Sequence, residues 1–259
     1  MTTHPTHSPD NVSYADEDHD TCFGVEDTSF WFRHRNECIA SMVRRYPVDG
    51  VFYDVGGGNG YVARRLLDEG HDVVLVEPGQ RGATNARLKR HIPRVICSTL
   101  SDAGVAKGSA AAVGVFDVIE HVEDDHGFIR ELAEILKPGG MLFLTVPAYT
   151  WMWSDADVLA GHFRRYTKAS IQKLVAPFFD IEFSSYFFSP LLLPIAVVRV
   201  LPYRLGLHRS TTAEVAHGTE GGLIVRAMER LLVRERHRLA HGTTLPTGAS
   251  LIMAARRRR

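Results

Sequence analysis

Apolar positions along this chain change period several times, and the changes divide it into elements. From Ser29 to Tyr46 apolar residues stand at Phe32, Ile39, Met42 and Val43 with arginines between them, which predicts an amphipathic helix ended by Pro47. The runs VFYDVG, DVVLVEP, RVICST (Arg94 to Thr99), Ala110 to Phe116 and Met141 to Val146 are then almost uninterruptedly apolar. Between them lie three helical stretches: GYVARRLLDEG closed by Gly70, a segment through Ala83 to His91, and Asp124 to Leu136 stopped by Lys137-Pro138-Gly139-Gly140. Unbroken apolar strands alternating with helices belong to a parallel sheet covered on both faces, so the fold class is α/β and doubly wound.

After Pro147 the pattern loosens. Tyr149 to Tyr166 reads as a loop rich in aromatic and charged residues, followed by a helix capped by Thr167 and a strand DIEFSSYFF. Ser189 to Leu207 is apolar but broken by Pro190, Pro194 and Pro202. Its uncharged stretch is shorter than the roughly 18 to 20 residues a membrane span needs, which makes it an irregular hydrophobic insert. Glu220 to Ala240 predicts a basic amphipathic helix and Ala249 to Ala255 a final strand.

The densest turn signal is YDVGGGNGYVARRL, where glycines follow a strand and precede a helix. Such a bend lets backbone amides and a helix N-terminus approach a ligand closely. Two ligands suit it. Gly58, Gly60 and Ala63 satisfy the G-x-G-x-x-A form of a dinucleotide fingerprint, while Asp54, Gly56, Gly58 and Gly60 satisfy the D-x-G-x-G-x-G form of an S-adenosylmethionine (SAM) loop. Both would use Glu77, at the end of the next strand, for ribose hydroxyls.

Further segments favour the second ligand. DVGGGNG, VEPG, FDVIEHVEDD, LKPGGMLFLTVP and WMWSDADVLAGHFRRYT occur in this order. With them the chain, from about Phe30 to Phe188, resembles the class I SAM-dependent methyltransferases, in the branch around the ubiquinone-biosynthesis O-methyltransferases and related small-molecule enzymes. The resemblance implies a Rossmann-like sheet of seven strands, mostly parallel with an antiparallel last strand, and helices on both faces. It implies SAM as cofactor, cradled by Asp54, Gly56, Gly58 and Gly60, with Glu77 on the ribose beside Pro78. Ser98 to Leu100 would lie along adenine, although CSTL lacks the acid often found there, and Phe116 and Asp117 would face the sulfonium. FWFRHRN resembles a cover helix in which Trp31 and Phe32 exclude solvent and Arg33 or Arg35 meets the SAM carboxylate; an ordinary amphipathic helix on the sheet edge is the other reading.

On the acceptor side, three roles are open for His121: a general base, a cation ligand with Asp117 and Glu120, or a hydrogen-bonding shaper of the site. No metal is assigned. In GHFRRYT, His162 and Tyr166 are further catalytic candidates. Arg164 and Arg165 either clamp an anionic group of the acceptor or pin the loop through Asp155 or Asp157. Trp151 and Trp153 are candidate pocket walls. The hydrophobic insert is read first as a greasy acceptor pocket, then as a homodimer contact, then as a peripheral membrane contact for a lipid-like acceptor.

Composition bounds this picture. The 259 residues carry 30 basic and 30 acidic side chains, which gives no overall pull toward nucleic acid. Three irregularly spaced cysteines, Cys22, Cys38 and Cys97, fit a reducing, cytoplasmic setting and no zinc site. Residues 1–20 read as a polar, His-rich disordered leader, and residues 21–259 as one domain with a SAM-binding core at about 48–148 and an acceptor-side region at about 149–248. The expected activity is methyl transfer to a small or lipid-like acceptor, at oxygen by resemblance, with nitrogen or carbon as alternatives. A non-catalytic SAM-binding partner protein is the alternative of another class.

Overall fold

The computed structural model describes residue 16, residues 18–207 and residues 223–259. Two helices, α1 (Asp18–Glu26) and α2 (Phe30–Arg45), precede the sheet. Then follow β1 (Val51–Val55), α3 (Tyr61–Asp68), β2 (Asp72–Val76), α4 (Gln80–Leu88), β3 (Val95–Ile96) and β4 (Ala110–Phe116). The second half contains α5 (Asp125–Ile135), β5 (Leu136–Pro147), α6 (Asp155–Leu159), α7 (Lys168–Val175) and β6 (Phe179–Phe187). It closes with α8 (Leu192–Ile195), α9 (Leu201–Arg204), α10 (Leu223–Ala240) and β7 (Ser250–Arg257).

The seven strands form one sheet in the order β3-β2-β1-β4-β5-β7-β6. β1 to β5 pair in parallel, and β7 inserts antiparallel between β5 and β6. This is the expected Rossmann-like arrangement. The chain winds outward through β2 and β3, then crosses back to place β4 on the other side of β1. Parallel strands diverge at such a reversal, and a crevice opens at their carboxyl ends.

Each face of the sheet has its own apolar cluster. Phe52, Ala112 and Phe143 face α2, α3, the insert and α10 through Ile39, Leu66, Leu191 and Leu232. Val113, Leu142 and Leu144 face α5 and α7 through Ile129, Leu132, Ile171 and Val175. The rings of Phe52 and Phe143 stack 5.8 Å apart across the middle of the first layer. Fully burying one such ring contributes about 1.5–3 kcal/mol.

Several element bounds differ from the sequence pattern. β5 begins at Leu136, so Lys137-Pro138-Gly139-Gly140 lies within the strand, where the register against β4 shifts between Ala110 and Ala112. The bulge absorbs glycines that sequence patterning assigns to a turn. Tyr149 to Tyr166 is not a plain loop: it holds a 3₁₀ turn, Thr150–Met152, and the short α6. The insert is helical rather than irregular. A 3₁₀ turn (Ser189–Leu191), α8, a π-helical turn (Ala196–Val200) and α9 follow one another without a break. The prolines are accommodated by position: Pro190 stands in a first turn, where no donor is needed, and the π-helical turn lies between Pro194 and Pro202. Most of the expected leader, including His4 and His7, and Glu220 to Gly222 of the expected last helix lie outside the described residues, but Asp18 to Asp20 are the first turn of α1.

Candidate functional site

The crevice above β1 and β4 is a cleft of about 870 Å³, near the upper end of the range of about 300–1,000 Å³ usual for ligand pockets. Its floor at one end is the loop from Gly56 to Gly60. Gly56, Gly58 and Gly60 hold φ of 68°, 54° and 80°, a left-handed backbone that side chains disfavour. The available space makes the same demand. A Cβ on Gly56 would lie 2.7 Å from Val118 Cγ2, and one on Gly57 would lie 2.7 Å from Asp54 Oδ2.

Two buried carboxyls flank this loop. Glu77, one residue past β2 and 5% exposed, accepts hydrogen bonds from the Gly58 amide at 2.8 Å and the Gly79 amide at 2.7 Å. Burial outweighs both amides and pushes its pKa up to about 7. Asp54 is 1% exposed, and burial, opposed by the charge of Arg35, likewise raises its pKa to about 7. Its Oδ2 has no hydrogen-bond partner among the described residues. A cradle without side chains, an orphaned buried oxygen and a second carboxyl fixed by amides suit a ligand that presents hydroxyl and ammonium donors.

α2 lies across the middle of the cleft. Ser29 caps it by accepting from the Trp31 amide at 3.2 Å. Arg35 donates to the Asp117 carboxylate and, at 2.6 Å, to the Phe116 carbonyl. Asp117 itself is left-handed at φ 57°, a strained backbone for a residue with a Cβ, and its amide donates to Thr145 O at 2.9 Å. Trp31 stacks on Phe188 at 3.7 Å and 9°. Below that stack, Glu235 of α10 accepts from the Phe188 amide at 2.6 Å and the Ser189 amide at 2.8 Å, and pairs with His34 at 2.9 Å. α2, the root of the insert and α10 are thereby fixed together.

The other end of the cleft is built around Asp157. This residue is the acid of the α6 capping box, accepting from the Ser154 amide at 2.9 Å. Its second oxygen meets His162 Nδ1 at 2.9 Å and Arg165 Nε at 2.6 Å. Burial alone would raise the Asp157 pKa, but the His162 hydrogen bond and the Arg165 charge hold it below the usual carboxylate range. The Phe163 amide donates to Glu120 O at 2.8 Å, which docks GHFRRYT on DVIEH. As a result the rings of His121 and His162 meet edge to face at 4.7 Å. Burial, aided by the His162 charge, lowers the His121 pKa to about 3, so its ring is neutral near pH 7. Glu120 is 1% exposed, and burial followed by the Asp117 charge pushes its carboxyl well up. Neither Glu120 oxygen has a hydrogen-bond partner among the described residues. One potential ligand atom each from Glu120, His121 and His162 lie within 4.8 Å of one another, a group that could hold a cation.

Of the residues singled out from sequence, Asp54, Gly56, Gly58, Glu77, Pro78, Leu100, Phe116, Asp117, Trp31, Arg35, His121 and His162 all line this one cleft. Gly60 does not. It begins α3 and faces Ile92, Ala86 and Leu75, so its lack of a side chain serves helix–strand packing. Tyr166 does not line the cleft either: its hydroxyl donates to Asp125 at 2.9 Å, at the start of α5. Arg164 also turns to Asp125, at 2.8 Å, and Arg33 to Glu229 on α10, also at 2.8 Å. Trp151 and Trp153 are not cleft walls, whereas Met152 between them is. The possible cation group includes His162 in place of Asp117, which Arg35 occupies.

Sequence reading missed His19, Asn59, Asp102 and Arg199, all of which line the cleft. Asp102 offers an acid on the rim just beyond CSTL, where it accepts from Thr99 Oγ1 at 2.9 Å. Arg199 stands one turn after Ile195, and both face inward from the insert. Only a helical reading of that segment would have paired them.

The chain resembles known proteins over the same elements. A curated protein of Mycolicibacterium smegmatis, named a probable S-adenosylmethionine-dependent methyltransferase, is 28% identical over 126 residues, covering 48% of this chain and 48% of the relative. A ubiquinone biosynthesis O-methyltransferase of Xanthomonas axonopodis pv. citri is 31% identical over 107 residues, covering 39% of this chain and 45% of that one. The chain thus spans about half the length of these curated relatives. Among solved structures, phosphoethanolamine N-methyltransferase 2 of Haemonchus contortus, in complex with S-adenosyl-L-methionine, has a TM-score of 0.59 at 18% identity, over 96% of this chain and 59% of that one, which shows a common fold. The methyltransferase domain family model matches residues 31–178, from α2 through α7, and the chain belongs to that family.

Proposed function

We propose that this chain transfers a methyl group from SAM to a small-molecule or lipid-like acceptor, at oxygen. One observation carries the reading: the glycine cradle with Asp54 and Glu77 opens into the same cleft as the His121–His162 pair. The curated relative named S-adenosylmethionine-dependent supports the cofactor, and the one named an O-methyltransferase supports the acceptor atom. The residues fit this cofactor, since Glu77 would accept ribose hydroxyls and the orphaned Asp54 oxygen would take a donor from the amino-acid end. When bound, SAM supplies a methyl group activated by the adjoining sulfonium.

The chain's own task is to align the acceptor, keep water out and take up a proton. α2 closes the cleft through Trp31 and Arg35. Met152, Leu159 and Ile195 offer apolar surface to the acceptor beside Arg165 and Arg199, which favours the pocket reading of the insert. His162 is the better general base. With Nδ1 directed at Asp157, its Nε2 is the proton-accepting atom, whereas His121 is too weak a base with its pKa lowered to about 3.

The test is incubation of the chain with labelled SAM and fractionated extracts, followed by a mass shift of one methyl on the acceptor. Absence of transfer despite SAM binding would favour the non-catalytic partner reading. The orphaned Glu120 oxygens beside His121 and His162 favour a second reading of the acceptor lobe, in which a divalent cation lowers the acceptor's pKa. Activity abolished by EDTA and restored by Mg²⁺ would select it.

A further inference from the structure

The nucleoside end of the cleft is covered by α1 and the Asp16 that precedes it, and their contacts converge on two elements, the glycine loop and α4. The N-cap of α4, Gly79, has no side chain to satisfy the first turn. Asp16 supplies that bond, its Oδ1 accepting from the Arg81 amide at 2.9 Å. Asn59, within the glycine loop, donates to His19 O at 2.8 Å and to Glu26 Oε1 at 3.1 Å, while its own oxygen accepts from Asn85 of α4 at 3.0 Å. Glu26 and Asp27 pair with Arg90 at 3.0 and 2.8 Å, and Asp20 accepts from Asn85 at 3.0 Å. Phe23 lies 4.7 Å from Lys89 Nζ and 4.6 Å from the Arg90 guanidinium.

These contacts seat one side chain, His19, which is 6% exposed. Its ring lies where Cβ atoms on Gly79 and Gly82 would stand, 2.7 and 2.8 Å from the nearest ring atoms. Gly82 is inside a helix, where glycine costs about 1 kcal/mol relative to alanine. The seat for His19 gives a physical reason for it. The ring directs Nε2 at Glu77 Oε1 across 3.6 Å, too long for a hydrogen bond. A hydroxyl placed against both atoms could donate to the carboxylate and accept from the imidazole N–H.

We infer that His19 is a ligand-binding residue, which with Glu77 grips the ribose diol of an adenosine ligand, and that α1 is a strap closing over that nucleoside. The inference rests on the SAM reading of the cleft. Val25 is the one hydrophobic residue of α1 that is fully buried, and the contacts named above are polar, ionic or cation–π, so the strap can release without unfolding the sheet behind it. Asn59 links it to the glycine loop, so that filling the loop and closing the strap favour each other.

The test is calorimetry on the full chain with S-adenosylhomocysteine and with methylthioadenosine, which share the nucleoside. His19→Ala should weaken both by about tenfold, and His19→Gln, whose amide can still donate, should retain most of the affinity. In the wild type, hydrogen exchange at residues 18–26 should slow on addition of either ligand. If the wild type binds both ligands while His19→Ala binds them equally well and exchange is unchanged, the strap assignment is wrong and the cofactor reading stands. A loss confined to S-adenosylhomocysteine would also overturn it. If the wild type binds neither ligand, the cofactor reading fails and the strap assignment with it.

Discussion

His162 and Asp157 form a carboxylate–imidazole pair in which the carboxylate is completely buried and the imidazole edge faces the cleft, 2.9 Å apart. The pairing is a by-product of helix capping, since the acid that closes the first turn of α6 also orients the histidine five residues on. An imidazole held this way keeps one tautomer. His162→Asn is expected to lower kcat by about 10² to 10⁴ while leaving S-adenosylhomocysteine affinity unchanged. His121→Asn is expected to cost less, because a ring whose pKa is lowered to about 3 is a poor base at neutral pH. Steady-state kinetics of both variants, with the acceptor found by mass shift, check the ranking. A larger loss at His121 would return the base assignment to that residue.

The two carboxyls beside the glycine loop give opposite pH slopes for stability and for binding. Asp54 and Glu77 both have pKa values raised to about 7 in the folded chain, so their contribution to stability is fully present below about pH 4 and is lost as the pH rises through 7. The ligand-free chain should melt at lower temperature at pH 8 than at pH 6 on account of these groups, and Asp54→Asn should flatten that fall. Binding runs the other way. Ribose hydroxyls donate to an ionised Glu77, so S-adenosylhomocysteine should bind more weakly as the pH drops below 7, by up to about tenfold per pH unit. Glu77→Gln should bind poorly and with a shallower pH dependence. Calorimetry across pH 5.5 to 8 showing no slope in the wild type would contradict the placement of Glu77 at the ribose.

What could be read from sequence divides along physical lines. The sheet was legible because strands buried on both faces must be apolar throughout, and DVVLVEP or Ala110 to Phe116 has no other economical reading. The glycine-loop half of the cleft was legible because a loop with three left-handed positions needs glycines at fixed spacing. The other half was legible only in part: His121, His162 and the pairing of Arg165 with Asp157 could be named from GHFRRYT and its neighbours, whereas Arg199 and Ile195 reach the cleft through a helical insert that tolerates three prolines and has no periodic signature. His19 was hidden for another reason: its polar neighbours resemble a disordered leader, and its docking shows only in the two glycines of α4 left open for the ring.

Tyr166 shows that nearness in sequence to a catalytic candidate does not establish a place in the cleft. Its hydroxyl is tied to Asp125, and burial followed by the charge of Asp125 pushes its pKa far up. Tyr166→Phe is expected to leave kcat and KM within about twofold of wild type and to lower stability by about 1 kcal/mol, the net value of a lost hydrogen bond. Denaturant unfolding and kinetics on the same preparation check both parts. A kcat loss of a hundredfold with unchanged stability would restore Tyr166 to the reaction.

The insert can be tested by comparing two of its residues that differ in orientation. Ile195 lines the cleft beside Arg199, whereas Leu193, two residues earlier, is 74% exposed on the outer side. If the insert walls the acceptor pocket, Ile195→Ser removes apolar contact from the acceptor alone. A pocket methylene is worth about 1–3 kcal/mol, so the acceptor KM should rise by about tenfold or more, while kcat and S-adenosylhomocysteine affinity change little. Leu193→Ser should leave KM unchanged, because its side chain touches solvent. The reverse pattern would assign the insert to an outward contact: an unchanged KM for Ile195→Ser, together with a shift from dimer to monomer for Leu193→Ser in light scattering. Loss of binding to anionic vesicles by Leu193→Ser, with both proteins monomeric, would assign that contact to a membrane surface.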